Sequence, residues 1–210
     1  MQRTTAPTLE VFVWGLPHRE PHHTLLRESL AASDVGPVTW LLHPPGQTAW
    51  EHWEESHRRA AASPADLVLL LEDDVIVNRH LRHNVETWGW PNDPDFAAGW
   101  LYNPGGYAQE DRWYDDGPNW YGTCAVLVAP DRLRRYVDEA LKICQGSGQD
   151  WDKDWDNCFC QAILRHGRIR THYPSLTEHL DELPSAMGNL PSPRSRTSRG
   201  TFDRDWRRTP

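Results

Sequence analysis

The sequence predicts an α/β protein: a mixed, mostly parallel sheet flanked by helices. Two observations carry this. Strand-like and helix-like segments alternate through the first half in the order β-α-β-α-β, which a parallel sheet with helices on both sides satisfies. The run 67–71 (LVLLL) is strand-sized and apolar without interruption, the mark of a strand buried on both faces.

Taken in order, residues 9–14 (LEVFVW) read as a strand, 22–32 as a helix, and 38–42 as a second strand. Residues 49–62, rich in Ala, Glu and Arg, read as a helix that leads into the third strand at 67–71. A helix is expected over 79–88 and a strand over 96–102. Residues 103–119 are polar, with Gly105, Gly106, Gly117 and Pro118, and read as a long loop of the kind that often carries function. Residues 121–129 read as a buried strand. Pro130 then opens a helix to about Cys144, proline being well suited to the first helical position. After a break over 145–149, residues 154–166 form a helix ended by Gly167, and 168–173 a last strand. No internal repeat interrupts this order.

The 210 residues suit one domain with a sizeable core, and 38% hydrophobic with 25% charged residues is a globular balance. No apolar run approaches the roughly 20 residues of a membrane-spanning helix. The N-terminus lacks a charged-then-apolar leader, so a cytoplasmic location is expected. The four cysteines, Cys124, Cys144, Cys158 and Cys160, contain no CxxC pair, and they read as reduced, mostly buried thiols. Residues 191–210 hold six Arg and two Asp, a surplus of four positive charges; against a chain total of −8, the other 190 residues carry −12. An acidic body argues against broad nucleic-acid binding, and the Ser/Pro/Arg tail reads as flexible. Twelve tryptophans is a high number for this length. Trp100, Trp113 and Trp120 fall in polar, Gly/Pro-rich stretches, where a ring face can stack on a sugar or a base.

Glu72, Asp73 and Asp74 follow the third strand immediately. Ligands of open α/β sheets bind at the carboxyl ends of strands, so the position is as informative as the residues. Three adjacent acids repel one another unless a cation compensates, and Mg²⁺ and Mn²⁺ prefer carboxylate oxygens and bridge to phosphates. LLLEDDVIV resembles the strand and DXD-type motif of GT-A glycosyltransferases, above all those with an EDD signature: the N-acetylglucosaminyltransferases of N-glycan branching and their bacterial and phage relatives. Tyr121-Gly122-Thr123 with the segment 126–133 is similar to the family's acceptor-side element. Asp156 sits eleven residues before Gly167, much as the family's catalytic acid precedes its helix-ending glycine. Tyr173-Pro174-Ser175-Leu176-Thr177-Glu178-His179 is close to the family's PSLxxH segment, and Pro184-Ser185-Ala186-Met187-Gly188-Asn189 resembles the Ser-and-Gly stretch after it. The order and spacing together, over about residues 9–190, are more specific than any one motif.

The resemblance implies a single GT-A (Rossmann-like) domain over 1–190 with a basic tail over 191–210. It implies transfer of a hexosyl or N-acetylhexosaminyl group from a nucleoside diphosphate sugar, UDP-linked, with inversion and a Mn²⁺ or Mg²⁺ cofactor. Asp74 would ligate the metal with His179 as a second protein ligand, a neutral imidazole suiting Mn²⁺ better than Mg²⁺. Asp73 would support the metal or the sugar, and Glu72 the ribose or sugar hydroxyls. Asp156 is the candidate general base, which takes the acceptor hydroxyl's proton as it attacks, with Asp154 as second choice in an acid-rich stretch that also holds Asp150 and Asp152. The loop after the first strand would face the nucleotide, with Arg19 on a phosphate and His18 on the base. Trp100, Trp120, Tyr121 and Gly122 would line the acceptor side, with Trp113, Asp115 and Asp116 nearby. A nucleotidyltransferase on the same fold is a weaker match, because Gly15-Leu16-Pro17-His18-Arg19 is a poor triphosphate loop. A non-catalytic carbohydrate- or nucleic-acid-binding module is the alternative from another class. Glycans, proteins, small molecules and a hydroxylated base in phage DNA are all compatible acceptors, and the Arg-rich tail suits a phosphate backbone.

Overall fold

The computed structural model describes residues 7–17, 19–88, 95–103, 112–115, 123–147, 151–180 and 201–209. The expected alternation is present: β1 (Leu9–Gly15), α1 (Glu20–Ala31), β2 (Val38–Leu42), α2 (Ala49–Ala60) and β3 (Leu67–Glu72). β4 (Val75–Val77), α3 (Leu81–Trp88), β5 (Phe96–Trp100), β6 (Arg112–Asp115), β7 (Ala125–Val128), α4 (Pro130–Ser147), α5 (Trp151–Leu164), β8 (Arg168–Tyr173) and β9 (Thr177–His179) complete it. A seven-stranded sheet runs β2-β1-β3-β7-β5-β8-β6. β2, β1, β3, β5 and β8 point one way, and β7 and β6 run against them.

β1 lies between β2 and β3, so the chain reverses its direction of travel there. Right-handed crossovers then place α1 and α2 on opposite faces of the sheet. The crevice between the carboxyl ends of β1 and β3 is the topological switch point, where ligands of such sheets bind. β3 is hydrogen-bonded on both sides and Leu67 to Leu71 are all buried, as the unbroken apolar run requires. α2 starts with a reciprocal cap: Thr48 Oγ1 accepts the Glu51 amide at 3.2 Å, and Glu51 accepts the Thr48 amide at 2.8 Å. Trp50, Trp53, His57 and Ala60 recur at helical spacing on its buried face.

Several expectations change. β6 occupies 112–115, inside the stretch read as loop, because a four-residue strand of mixed polarity carries too little alternation to show. β7 begins at Ala125 rather than at 121, and β5 ends at Trp100. β4 and β9 pair antiparallel as a separate two-stranded sheet that the sequence reading lacked. Cys144 and Cys158 are bonded to each other, not reduced: α4 and α5 lie side by side and bring the two Cα atoms to 6.0 Å, an ordinary disulfide separation. Cys124 and Cys160 are free and buried. A disulfide is uncommon in a reducing cytoplasm, so it lends no support to the expected location. No helix among the described residues is long and apolar enough to cross a membrane.

Over 201–209 the tail expected to be flexible is fastened down. Asn78, fully buried, donates from Nδ2 to the Asp203 and Trp206 carbonyls at 2.7 and 3.0 Å, and its Oδ1 accepts the His80 amide at 2.7 Å. Arg208 lies 4.2 Å above the Trp88 ring, and Phe202 bridges to Ser175. Two aromatic residues, Phe202 and Trp206, give this Arg-rich segment something to bury.

His57 and His172 are buried, and each donates from Nδ1 to a carbonyl, of Trp53 at 2.8 Å and of Pro174 at 2.7 Å. Burial pushes their pKa values down to about 3 and about 4. Both are therefore neutral in the fold and take up a proton more readily when unfolded. Their contribution is fully present above the unfolded value of about 6.5 and is lost as pH falls toward 4. The melting temperature is expected to fall between pH 7 and pH 5, and His57→Gln, which cannot charge, should flatten part of that slope. An unchanged slope would exclude His57 as a source.

Candidate functional site

The register β1–β3 sets Trp14 opposite Glu72, so the residues after both strands share the switch-point crevice. Asp73 turns back under the β1–α1 connection. Its Oδ2 accepts the Leu16 amide at 2.9 Å and faces His23 Nε2 at 3.0 Å, and its Oδ1 accepts from Arg19 Nη1 at 2.5 Å. Gly15 makes this possible: a Cβ there would stand 2.1 Å from Asp73 Oδ2. With both oxygens occupied, Asp73 is a brace for the loop.

Asp74 shares the Arg19 guanidinium with Asp73 and also faces His179 of β9. It is 3% exposed, and its Oδ2 lies 2.9 Å from Arg19 Nη2 and 3.3 Å from His179 Nε2. Its Oδ1 is buried and has no hydrogen-bond partner among the described residues. Burial alone would raise its pKa, but the hydrogen bonds and charges of His179 and Arg19 outweigh burial and hold the carboxyl below the usual range.

The small sheet delivers His179. β4 follows Asp74 directly, and Val75 pairs with His179 while the Asp74 carbonyl accepts the Leu180 amide at 2.7 Å. Ser175 fixes the turn into β9: its hydroxyl accepts the Asn103 amide at 3.0 Å and sits 2.6 Å from the Thr177 carbonyl. The serine of the PSLxxH segment thus serves the turn that aims the histidine.

Glu72 and Asp156 meet through a residue that the sequence reading noted only as part of a motif. Thr123 Oγ1 is 2.5 Å from Glu72 Oε1 and 2.7 Å from Asp156 Oδ1. The Thr123 hydroxyl stands between the two carboxyl groups and links them. Burial first, and then the charges of Asp74, Asp156 and Asp73, push Glu72 well above the usual carboxylate range. Asp156 is aimed by the residue before it: Trp155 packs edge-on against Trp14 at 5.0 Å and lies tilted against Trp53 at 6.0 Å.

Arg19, expected on a phosphate, faces inward to the acids. His22 and His23, from the first turn of α1, were not foreseen. His22 lies 3.2 Å from Arg19 Nη2, and burial pushes its pKa down to about 4, with the charge of Arg19 adding to the effect. Trp100, expected on the acceptor side, is 3% exposed and packs against Tyr102. His18, Trp120, Tyr121 and Gly122 lie outside the described residues, as do Asp116 and the side chains of Asp154, Trp113 and Asp115.

Among the described residues no three His, Cys, Asp or Glu side chains converge on a metal position. A cation fits in a narrower sense. Asp73 and Asp74 share the one guanidinium of Arg19, and Glu72 and Asp156 meet beside them at Thr123, so the cluster is rich in acid for one cation. The unpartnered Asp74 Oδ1 and the neighbouring His179 ring offer two ligands of the type that Mn²⁺ accepts.

No family model and no curated protein sequence matches the chain. Among solved structures it is similar to the glycosyltransferase GlyE of Streptococcus pneumoniae TIGR4, with a TM-score of 0.53 to the apo form and 0.50 to a second structure. Sequence identity is 8% in both, covering 77% of this chain and 45% of GlyE. The chain thus spans less than half the length of that enzyme, and what the likeness shows is a glycosyltransferase-type α/β fold.

Proposed function

We propose that the chain transfers a sugar from a nucleoside diphosphate sugar, UDP-linked, to an acceptor hydroxyl with inversion, using a divalent cation, Mn²⁺ or Mg²⁺. The observation that carries this is the buried, unpartnered Asp74 Oδ1 beside His179, set in an acid cluster at the switch point of a glycosyltransferase-type fold. Asp74 and His179 would hold the cation, which when bound neutralises charge on the leaving diphosphate. Asp156 takes the proton of the acceptor hydroxyl as its oxygen attacks the anomeric carbon. Thr123 ties the Asp156 carboxylate to Glu72 and holds it in place. Asp73 keeps the β1–α1 loop in its place beside the donor.

The acceptor class is tested directly. Because residues 201–209 are fastened to the body, they are no free arm along a phosphate backbone, and hydroxymethylated DNA enters the acceptor panel on equal terms with glycans.

The donor test is thermal melting against a panel of nucleotide sugars, with Mn²⁺ and with chelator. A ligand at 100 times its Kd stabilises the fold by about 2.7 kcal/mol. A cation-dependent rise with one nucleotide sugar is expected; no rise with any of them sinks the reading. Asp156→Asn should keep that rise while transfer, followed as nucleotide release and product mass, falls by about 10²–10⁴-fold. Undiminished transfer would place the base elsewhere.

A further inference from the structure

Arg19 lies between the two carboxylates of the turn after β3, and its role bears on the cation reading above, on which it rests. We propose that Arg19 is a built-in counter-cation: its guanidinium fills the inner half of the acid cluster and so limits how many ligands, and how much negative charge, the site offers to a metal ion.

The fork of Arg19 is spent on the cluster. Nη1 donates to Asp73 Oδ1 at 2.5 Å, and Nη2 donates to Asp74 Oδ2 at 2.9 Å and meets His22 Nε2 at 3.2 Å. A guanidinium only donates, so His22 Nε2 accepts, with its lone pair turned on a cation as it would be on a metal. Arg19 is 8% exposed and His22 4% exposed. Arg19 Nε and His22 Nδ1 are buried with no hydrogen-bond partner among the described residues. An arginine placed for its hydrogen bonds would satisfy Nε as well. What this position demands is positive charge, because Asp73 and Asp74 are adjacent and both nearly inaccessible to water. An arginine placed for a diphosphate would aim its fork outward, whereas this one is turned inward on carboxylates.

The consequence concerns the metal. With Arg19 in place, Asp74 presents Oδ1 and the nearby His179 ring. Without it, Asp74 Oδ2 and the His22 Nε2 lone pair are released, and the cluster has one more uncompensated negative charge. Arg19 therefore keeps the site a weak one, which a cation fills together with the donor's phosphates rather than alone.

The test compares wild type, Arg19→Met and Arg19→Lys, each titrated with Mn²⁺ alone by calorimetry and melted with and without Mn²⁺. Arg19→Met is expected to bind Mn²⁺ at least tenfold tighter than wild type, about 1.4 kcal/mol. It should also melt lower without the cation and gain more from it. Arg19→Lys keeps the charge and should stay near wild type. Equal or weaker binding by Arg19→Met, with wild type binding, overturns this inference and leaves the function reading standing. Binding by Arg19→Met alone supports the inference, because the wild-type site then takes the cation only together with the donor's phosphates. Binding by neither overturns the inference, and melting with donor and Mn²⁺ together decides the function reading separately. If Arg19→Met does not fold unaided, refolding with Mn²⁺ present should recover it, and failure to recover overturns the proposal.

Discussion

Asp74→Asn is expected to abolish the Mn²⁺-dependent response to the donor and to lower sugar transfer by at least about a hundredfold. The substitution keeps the size of the side chain and one acceptor oxygen, and removes the charge. That charge faces Arg19 on one side, His179 on the other, and an unfilled direction at Oδ1. The fold should tolerate the change. Arg19 retains Asp73 at 2.5 Å, and the repulsion between Asp74 and its acidic neighbours disappears. Stability without cation should therefore move by less than about 2 kcal/mol, since removing one partner of a buried pair is offset here by that relief. Melting curves with and without Mn²⁺ and donor, beside a transfer assay, read both quantities. A variant whose cation response matches wild type would remove Asp74 from the site.

Gly15→Ala is the other large effect, and it acts on the fold. The added Cβ would lie 2.1 Å from Asp73 Oδ2 and 2.3 Å from its Cγ, far inside van der Waals contact. Asp73 cannot step aside without giving up the Leu16 amide, Arg19 and His23 together. The expected loss is about 3 kcal/mol or more, at the upper end for overpacking because a buried polar network breaks with it. Gly46→Ala supplies the comparison. Gly46 has φ +88° with nothing within 4 Å of a built Cβ, so it bears only the left-handed backbone penalty of about 1–2 kcal/mol. Urea unfolding of the two variants separates these costs. If Gly15→Ala were no worse than Gly46→Ala, the close seat of Asp73 on β1 would be wrong.

These two residues also mark how far the sequence could be read. The alternation β1 to β3 was legible because strand-sized apolar segments alternate with helix-like ones, and the acids were legible because they end an apolar run. The division of labour between Asp73 and Asp74 was not. The two acids sit in the turn after β3, and only the finished fold shows that Asp73 braces the β1–α1 loop while Asp74 also meets β9. His179 could be picked out by motif, but not its route to Asp74, since three-residue strands such as β4 and β9 carry almost no pattern of their own. Thr123 was visible only as a small residue before a strand; its two carboxyl partners come from β3 and α5. Cys144 and Cys158 pair because two helices happen to lie side by side, which cysteine spacing cannot reveal. In the tail, six arginines drew the reading toward solvent, while Phe202 and Trp206 decided where the segment rests.

The β4–β9 ribbon has a consequence for the timing of assembly. Asp74 and His179 are 105 residues apart, and the segment that covers Asn78 begins later still, at Thr201. A chain leaving the ribosome can pair β1, β2 and β3 early, from short loops that close at little entropic cost. At that stage the three acids stand at the end of β3 without the histidine. The crevice is finished only when the late ribbon closes a loop of about a hundred residues, one of the slow, non-local events in folding. The completed crevice is thus the last feature this chain acquires as it emerges, and the first to go if the ribbon comes loose.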